Sequence, residues 1–125
     1  MITKYNIFLD DIRVPTDVTW VDIPVDQHYS VVRSYKEFVD LITLRREVPK
    51  YVCYDHDLAM AMYRIDEIPY NSYDEKTGYD CAKWLCEYCW TNGLPVPTWN
   101  VHSANPVGRD NIVQLIENFQ KKLNY

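Results

Sequence analysis

Three separated points in this chain close a short apolar run with the same kind of chemistry: Asp10-Asp11-Ile12-Arg13, Asp55-His56-Asp57 and His102-Ser103-Ala104-Asn105. Carboxylates held close together repel, and a divalent cation is the common way to keep all of them ionised. The oxygen set Asp10, Asp11 and Asp55 suits Mg2+, which binds through a few carboxylates plus substrate phosphate. If His56 or His102 is also a ligand, the preference moves toward Mn2+, Zn2+ or Fe2+. Otherwise the two histidines serve as general acid and base flanking a phosphate, with Asp57 placed to orient an imidazole. A single histidine near a strand is usually a hydrogen-bonded core or surface residue. Two of the three histidines beside strand-end aspartates weaken that reading here, whereas His28 sits in polar sequence and reads as surface.

Around these groups stand candidates for holding an anion. Arg13 follows the acid pair, and its planar fork matches phosphate oxygens, although pairing with Asp10 or Asp11 would occupy it equally well. Ser103 and Asn105 precede the last helical pattern, where hydroxyl, amide and free backbone N–H groups can cap the helix and bind an anion. Gly108 and Arg109, in the first turn of that helix, would add close backbone approach and a second positive charge. Arg33 ends a strand at the same edge and is a weaker candidate. Tyr54, Tyr63, Tyr70, Tyr73 and Tyr79 lie on or near one long loop, where they could stack on a nucleobase or simply pack the loop down.

The elements that must position this chemistry alternate. Tyr5 to Leu9, Tyr29 to Arg33, Tyr51 to Tyr54 and Trp99 to His102 read as strands. Ser34 is a good helix N-cap, with Glu37 three residues on completing a capping box. Phe38, Leu41, Ile42 and Arg45 continue that helix, which stops before Pro49. A second helix, Tyr79 to Trp90, buries Cys81, Trp84, Leu85 and Tyr88 and ends at Asn92-Gly93. A third starts at Pro106 and carries Ile112, Leu115, Ile116 and Phe119. The connection from Asp10 to about Gln27 has no amphipathic helix.

Strands alternating with helices predict a parallel sheet with right-handed crossovers. The expected fold is α/β: a three-layer, flavodoxin-like domain over residues 1–125, with a four-stranded parallel sheet in order 2-1-3-4 and no fifth strand. Ligands in such sheets bind beyond the carboxyl ends of the strands, where all three polar motifs would meet. The stretch from about 58 to 78 is long for a loop in so small a domain and reads as a mobile cover over that crevice.

Composition narrows the function classes. A net charge of −5 argues against broad binding to nucleic-acid backbone. No apolar run approaches a membrane span, and no signal-peptide pattern opens the chain, so a cytoplasmic protein is expected. Cys53 lies in a predicted strand, and Cys81, Cys86 and Cys89 lie along one apolar helix. All four read as reduced core residues; Cys86-Glu87-Tyr88-Cys89 has zinc or redox spacing but no companion pair and no helix N-terminus.

An acid pair after strand one, an acid after strand three and a serine after strand four resemble the phosphoacceptor receiver domains of two-component signalling. This chain departs from them: it has no candidate for their fifth-strand lysine, and His102 precedes the serine. Those departures resemble a variant family, the cyclic-phosphate processing receiver-like domain of phages and bacteria. Its Leu-Asp-Asp-x-Arg-x-Pro run matches Leu9 to Pro15, and its Asp-His-Asp-Leu matches Asp55 to Leu58. Its Gly-Tyr-Asp matches Gly78 to Asp80, and its His-Ser-x-Asn-Pro-x-Gly matches His102 to Gly108.

The resemblance implies a phosphoesterase for cyclic phosphates, associated with RNA repair and phage–host conflict. The leading expectation is a Mg2+- or Mn2+-assisted enzyme opening an RNA 2′,3′-cyclic phosphate end or a cyclic nucleotide signal. Asp10, Asp11 and Asp55 would hold metal, Asp55, His56, Asp57 and His102 would form the catalytic set, and Arg13, Ser103, Asn105 and Arg109 would hold phosphate. Two other classes stay open: a switch phosphorylated on Asp55, and a protein that captures a cyclic nucleotide without turnover. The expected partner is a nucleotide or RNA-end substrate rather than a membrane, met in the host cytoplasm if the chain is phage-encoded; a switch would instead be read by a partner.

Overall fold

Four apolar tetrapeptides build the sheet. In the computed structural model, which describes residues 5–21, 23–24, 28–58 and 76–123, they are β1 (Asn6–Leu9), β2 (Tyr29–Val32), β3 (Tyr51–Tyr54) and β4 (Thr98–Val101). All pairings are parallel and the order is β2-β1-β3-β4, as the crossover rule predicts. Every residue of the central strands β1 and β3 is buried, which explains their unbroken apolar runs.

Side chains alternate across the sheet, so each face receives its own set. Ile7, Leu9, Val52, Tyr54 and Val101 pack against three helices: α1 (Tyr35–Arg45), α2 (Gly78–Asn92) and α3 (Pro106–Leu123). Phe38, Ile42, Cys81, Leu85, Cys89, Ile112 and Ile116 supply the helical side of that core. On the other face Phe8, Tyr51 and Cys53 meet Val18 and Ile23 from the β1–β2 connection. Among its described residues that connection holds a 3-10 turn at Pro15–Asp17 and no α-helix, so the described part of the layer on this face is irregular chain.

Capping sets the helix ends. Ser34 Oγ accepts from the Glu37 amide at 3.2 Å, but Glu37 reaches back to the Arg33 amide at 2.8 Å, one residue before the cap. The reciprocal capping box forms instead at α2. There Thr77 Oγ accepts from the Tyr79 amide and Asp80 accepts from the Thr77 amide, which starts the helix a residue earlier than its apolar pattern indicates. Gly93 closes α2 in the left-handed region, with φ 66°. All four cysteines are free and buried. Burial pushes the thiols up, to about 12 for Cys86 and about 11 for Cys89, which rules out ready thiolate chemistry at this pair.

Gly78 is where α2 meets the end of β3. Its amide donates to the His56 carbonyl at 2.8 Å, and a Cβ there would sit 1.6 Å from the Asp55 carbonyl oxygen. Gly78→Ala must push the helix off the strand, so we expect a loss of about 3 kcal/mol or more in urea unfolding. An unchanged midpoint would mean that α2 slides freely. Residues 59–75 lie outside the described residues, and with them the expected cover, Tyr63, Tyr70 and Tyr73. Among the described residues no helix is long and apolar enough to cross a membrane.

Candidate active site

The register of the sheet does the first positioning. Leu9 pairs with Tyr54 and Tyr54 with Val101, and each strand carries its ladder one residue further. The Asp10 amide donates to Val32 at 3.1 Å, the Asp55 amide to Leu9 at 3.0 Å, and the His102 amide to Tyr54 at 2.9 Å. Asp10, Asp55 and His102 therefore stand in one row across the carboxyl edge of β1, β3 and β4. All three are buried, and one ligand atom from each lies within 4.8 Å of the others.

Asp10 is the most constrained member. Its Oδ1 accepts from the Ile12 and Arg13 amides at 2.9 and 2.8 Å, while Oδ2 lies 2.9 Å from His102 Nε2 and 3.6 Å from the Arg13 guanidinium. Burial alone would push this carboxyl up, but the bonds from His102 and the two amides outweigh it and hold Asp10 well below the usual carboxylate range. An ionised carboxylate only accepts, so His102 Nε2 carries the proton. His102 Nδ1 then accepts from Cys53 Sγ at 2.9 Å, whose thiol burial and the nearby Asp10 and Asp55 push up to about 12. The imidazole is stacked on Phe8, with ring centroids 4.6 Å apart. A buried relay, Cys53 to His102 to Asp10, thus aims one carboxylate.

Asp55 has the opposite environment. Burial first, then the charge of Asp10 and, further down, that of Asp11, push its carboxyl up to about 7, against the His56 amide at 2.8 Å and the Arg13 charge. Carboxylates crowded this way form a hard-oxygen site short of positive charge. The donor set fits a divalent cation: Asp55 contributes an oxygen that a cation would keep ionised, and Asp10 has lone-pair capacity left on Oδ2. His102 lies within the same reach and, with Nε2 donating to Asp10, orients that carboxylate; it would join the ligands only by giving up that proton.

The other sequence candidates take distinct places. His56 is half-buried, its Nδ1 lies 3.0 Å from Asp57 Oδ1, and its ring rests on α3 where Gly108 leaves room. A Cβ on Gly108 would fall 2.3 Å from the ring. Ser103 Oγ accepts from the Asn105 amide at 3.1 Å, and Asn105 Oδ1 accepts from the Gly108 amide at 3.1 Å, so both oxygens cap α3. Arg109 is exposed beside Asp110. Arg33 is engaged elsewhere: its Nη1 donates to the Asp10 and Arg13 carbonyls at 3.2 and 2.6 Å and staples the loop after β1. Tyr54 belongs to the core against Phe38, not to a base platform, because the strand alternation turns it toward the helices.

Two features escaped the sequence reading. Cys53 is a core residue but also the outer end of the relay, and Trp20 donates from Nε1 to the His102 carbonyl at 2.7 Å across 82 residues. Only the alternation of β3 hinted at the first, and nothing local signals the second.

A model of the cyclic-phosphate processing receiver domain matches residues 5–118, which takes in all four strands, α1, α2, most of α3 and every motif described above. The chain belongs to that family. No curated protein and no solved structure matches it. The cyclic-phosphate processing receiver domain here is thus a four-stranded α/β sheet whose carboxyl edge gathers buried Asp10, Asp55 and His102 close enough to bind a metal.

Proposed function

We propose that this chain is a cation-assisted phosphoesterase that opens a cyclic phosphate, at an RNA 2′,3′ end or in a cyclic nucleotide signal. The observation that carries the reading is the buried row at the sheet edge, where burial and then the charge of Asp10 raise Asp55 to about 7 beside Arg13. Asp10, Asp55 and the adjacent Asp11 would hold Mg2+ or Mn2+. When bound, the cation keeps these carboxylates ionised and polarises a phosphoryl oxygen.

The chain's own groups divide the remaining work. Arg13 neutralises a phosphate oxygen, and Ser103, Asn105 and Arg109 hold the others at the start of α3. Water adds to phosphorus, one ring P–O ester bond breaks, and the departing sugar oxygen takes a proton, leaving a monoester and a free hydroxyl. His56 is the group we assign to proton transfer: it is partly exposed, and with Nδ1 facing Asp57 its Nε2 is left to give or take the proton. His102, with both ring nitrogens committed, is a positioning residue for Asp10. The setting that suits these substrates is the cytoplasm, in RNA-end repair or in phage counter-defence.

The test is to incubate the protein with 2′,3′-cyclic AMP, 3′,5′-cyclic AMP and a cyclic dinucleotide, with and without Mg2+ or Mn2+, and to analyse products. A linear monophosphate that needs the cation and is lost in His56→Ala is expected. Ligand recovered intact from a stoichiometric complex would replace turnover with capture. A labile acyl-phosphate on Asp55 after acetyl phosphate, with no hydrolysis of any ester, would make the domain a switch.

A further inference from the structure

Trp20 is a large aromatic side chain that folding leaves half outside. It is 47% exposed, and two interactions hold its ring at the edge of the site. Nε1 donates to the His102 carbonyl at 2.7 Å, and the Arg13 guanidinium lies over the ring, 5.2 Å from its centroid. Arg13 in turn reaches Asp10 at 3.6 Å and is itself one-third exposed. The indole is therefore ordered beside the cation intended for phosphate, with apolar surface still facing solvent. Trp84, by contrast, packs on Phe38 and Tyr88, and exposed Trp90 sits near the far end of α2.

We propose that Trp20 is the nucleobase platform of this site, so that the enzyme selects nucleoside phosphates over base-free ones. The proposal rests on the phosphate reading above and deepens it. Stacking on an aromatic face is available to every base and strongest for purines, and it costs least when the ring is already fixed. Phosphate at Arg13 and base on Trp20 are one ribose apart in a nucleotide, which matches neighbouring side chains. Burial alone does not account for the arrangement, because a packing tryptophan would turn its ring inward.

The experiment is calorimetric titration, with Mg2+ present, of the parent, Trp20→Phe and Trp20→Leu proteins. The probes are adenosine 3′-monophosphate, uridine 3′-monophosphate and inorganic phosphate. Trp20→Leu should weaken adenosine 3′-monophosphate by about 5- to 100-fold while phosphate affinity changes less than about threefold, with Trp20→Phe intermediate. The parent should favour adenosine over uridine and both over phosphate. If Trp20→Leu fails to fold, Trp20→Phe carries the test, since the smaller ring should weaken nucleotide more than phosphate. Equal losses for nucleotide and phosphate would reduce Trp20 to a support for Arg13 and overturn the proposal. So would unchanged affinity in both variants together with a loss on Asn111→Ala or Gln114→Ala, which would move the base to the cavity of about 480 Å3 beside His56 and Tyr79. A parent that binds phosphate but no nucleotide more tightly defeats the platform alone, whereas one that binds neither defeats the phosphate reading beneath it.

Discussion

Asp55→Asn is expected to give a protein that is more stable than its parent at pH 8 without divalent cation, and inert toward cyclic phosphates with it. The sign follows from the raised carboxyl. Asp55 ionises near 3.8 unfolded and about 7 folded, so between these values the folded chain keeps a proton that the unfolded chain has lost. Parent stability must therefore fall as pH rises from about 4 to 7. The full conversion is about 4 kcal/mol at ~1.4 kcal/mol per pH unit, an upper bound because neighbours relax around the charge. Asparagine carries no charge and should flatten that slope in urea titrations from pH 5 to 8. Asp10 acts in a separate window: its carboxyl is depressed, so its contribution is complete above about pH 4 and fades only in stronger acid.

The same substitution should remove the response to metal. Mg2+ or Mn2+ should raise the parent's unfolding midpoint at pH 8 in proportion to the logarithm of its concentration and leave Asp55→Asn almost unmoved. Turnover, if it depends on a cation held there, should drop by a hundredfold or more, the equivalent of a few kcal/mol of transition-state stabilisation. A parent whose stability is flat from pH 5 to 8, and deaf to both cations, would show that the crowding of carboxylates is relieved some other way.

Asp10→Ala should be the most damaging substitution at this edge. It leaves the Ile12 and Arg13 amides and the His102 Nε2 proton without their acceptor, the last of them fully buried and the amides partly so. Stranding several donors costs about 3–5 kcal/mol, enough to threaten a domain of this size. Asp10→Asn should cost less, because Oδ1 can still serve both amides. Its new NH2, however, would meet the Nε2 proton, and moving that proton to Nδ1 sets it against the Cys53 thiol. Truncating Cys53 should then partly relieve Asp10→Asn while weakening the parent. Additive effects of Asp10→Asn and Cys53→Ala would show that no relay connects them.

Much of this architecture was readable before any coordinates. Apolar runs ending in charge are local patterns, and the handedness of crossovers leaves few arrangements for four strands and three helices. The order β2-β1-β3-β4, the convergence of Asp10, Asp55 and His102 on one edge, and the reduced core cysteines follow from those rules and the chain's own periodicity. The cap at Ser34 was legible for the same reason, since a helix start needs only its nearest neighbours.

Tertiary structure decided what each polar group does once it arrives. His102 looks in sequence like a catalytic imidazole beside a serine. Its partners Cys53 and Asp10 come from two other strands, and only the register shows that both of its nitrogens are taken. Arg33 could have faced a phosphate, yet the carbonyls of Asp10 and Arg13 claim it. Tyr54 turns to the helices because strand alternation outranks its kinship with the nearby tyrosines. Asp55 and Asp10 carry identical side chains, and their opposite displacements reflect which donors and charges the fold sets beside each. Hydrogen bonding and Coulomb interaction act over a few ångströms of space, so their outcome belongs to neighbours brought together from distant points of the chain. The periodic burial of apolar residues acts along the chain and can be read from it directly.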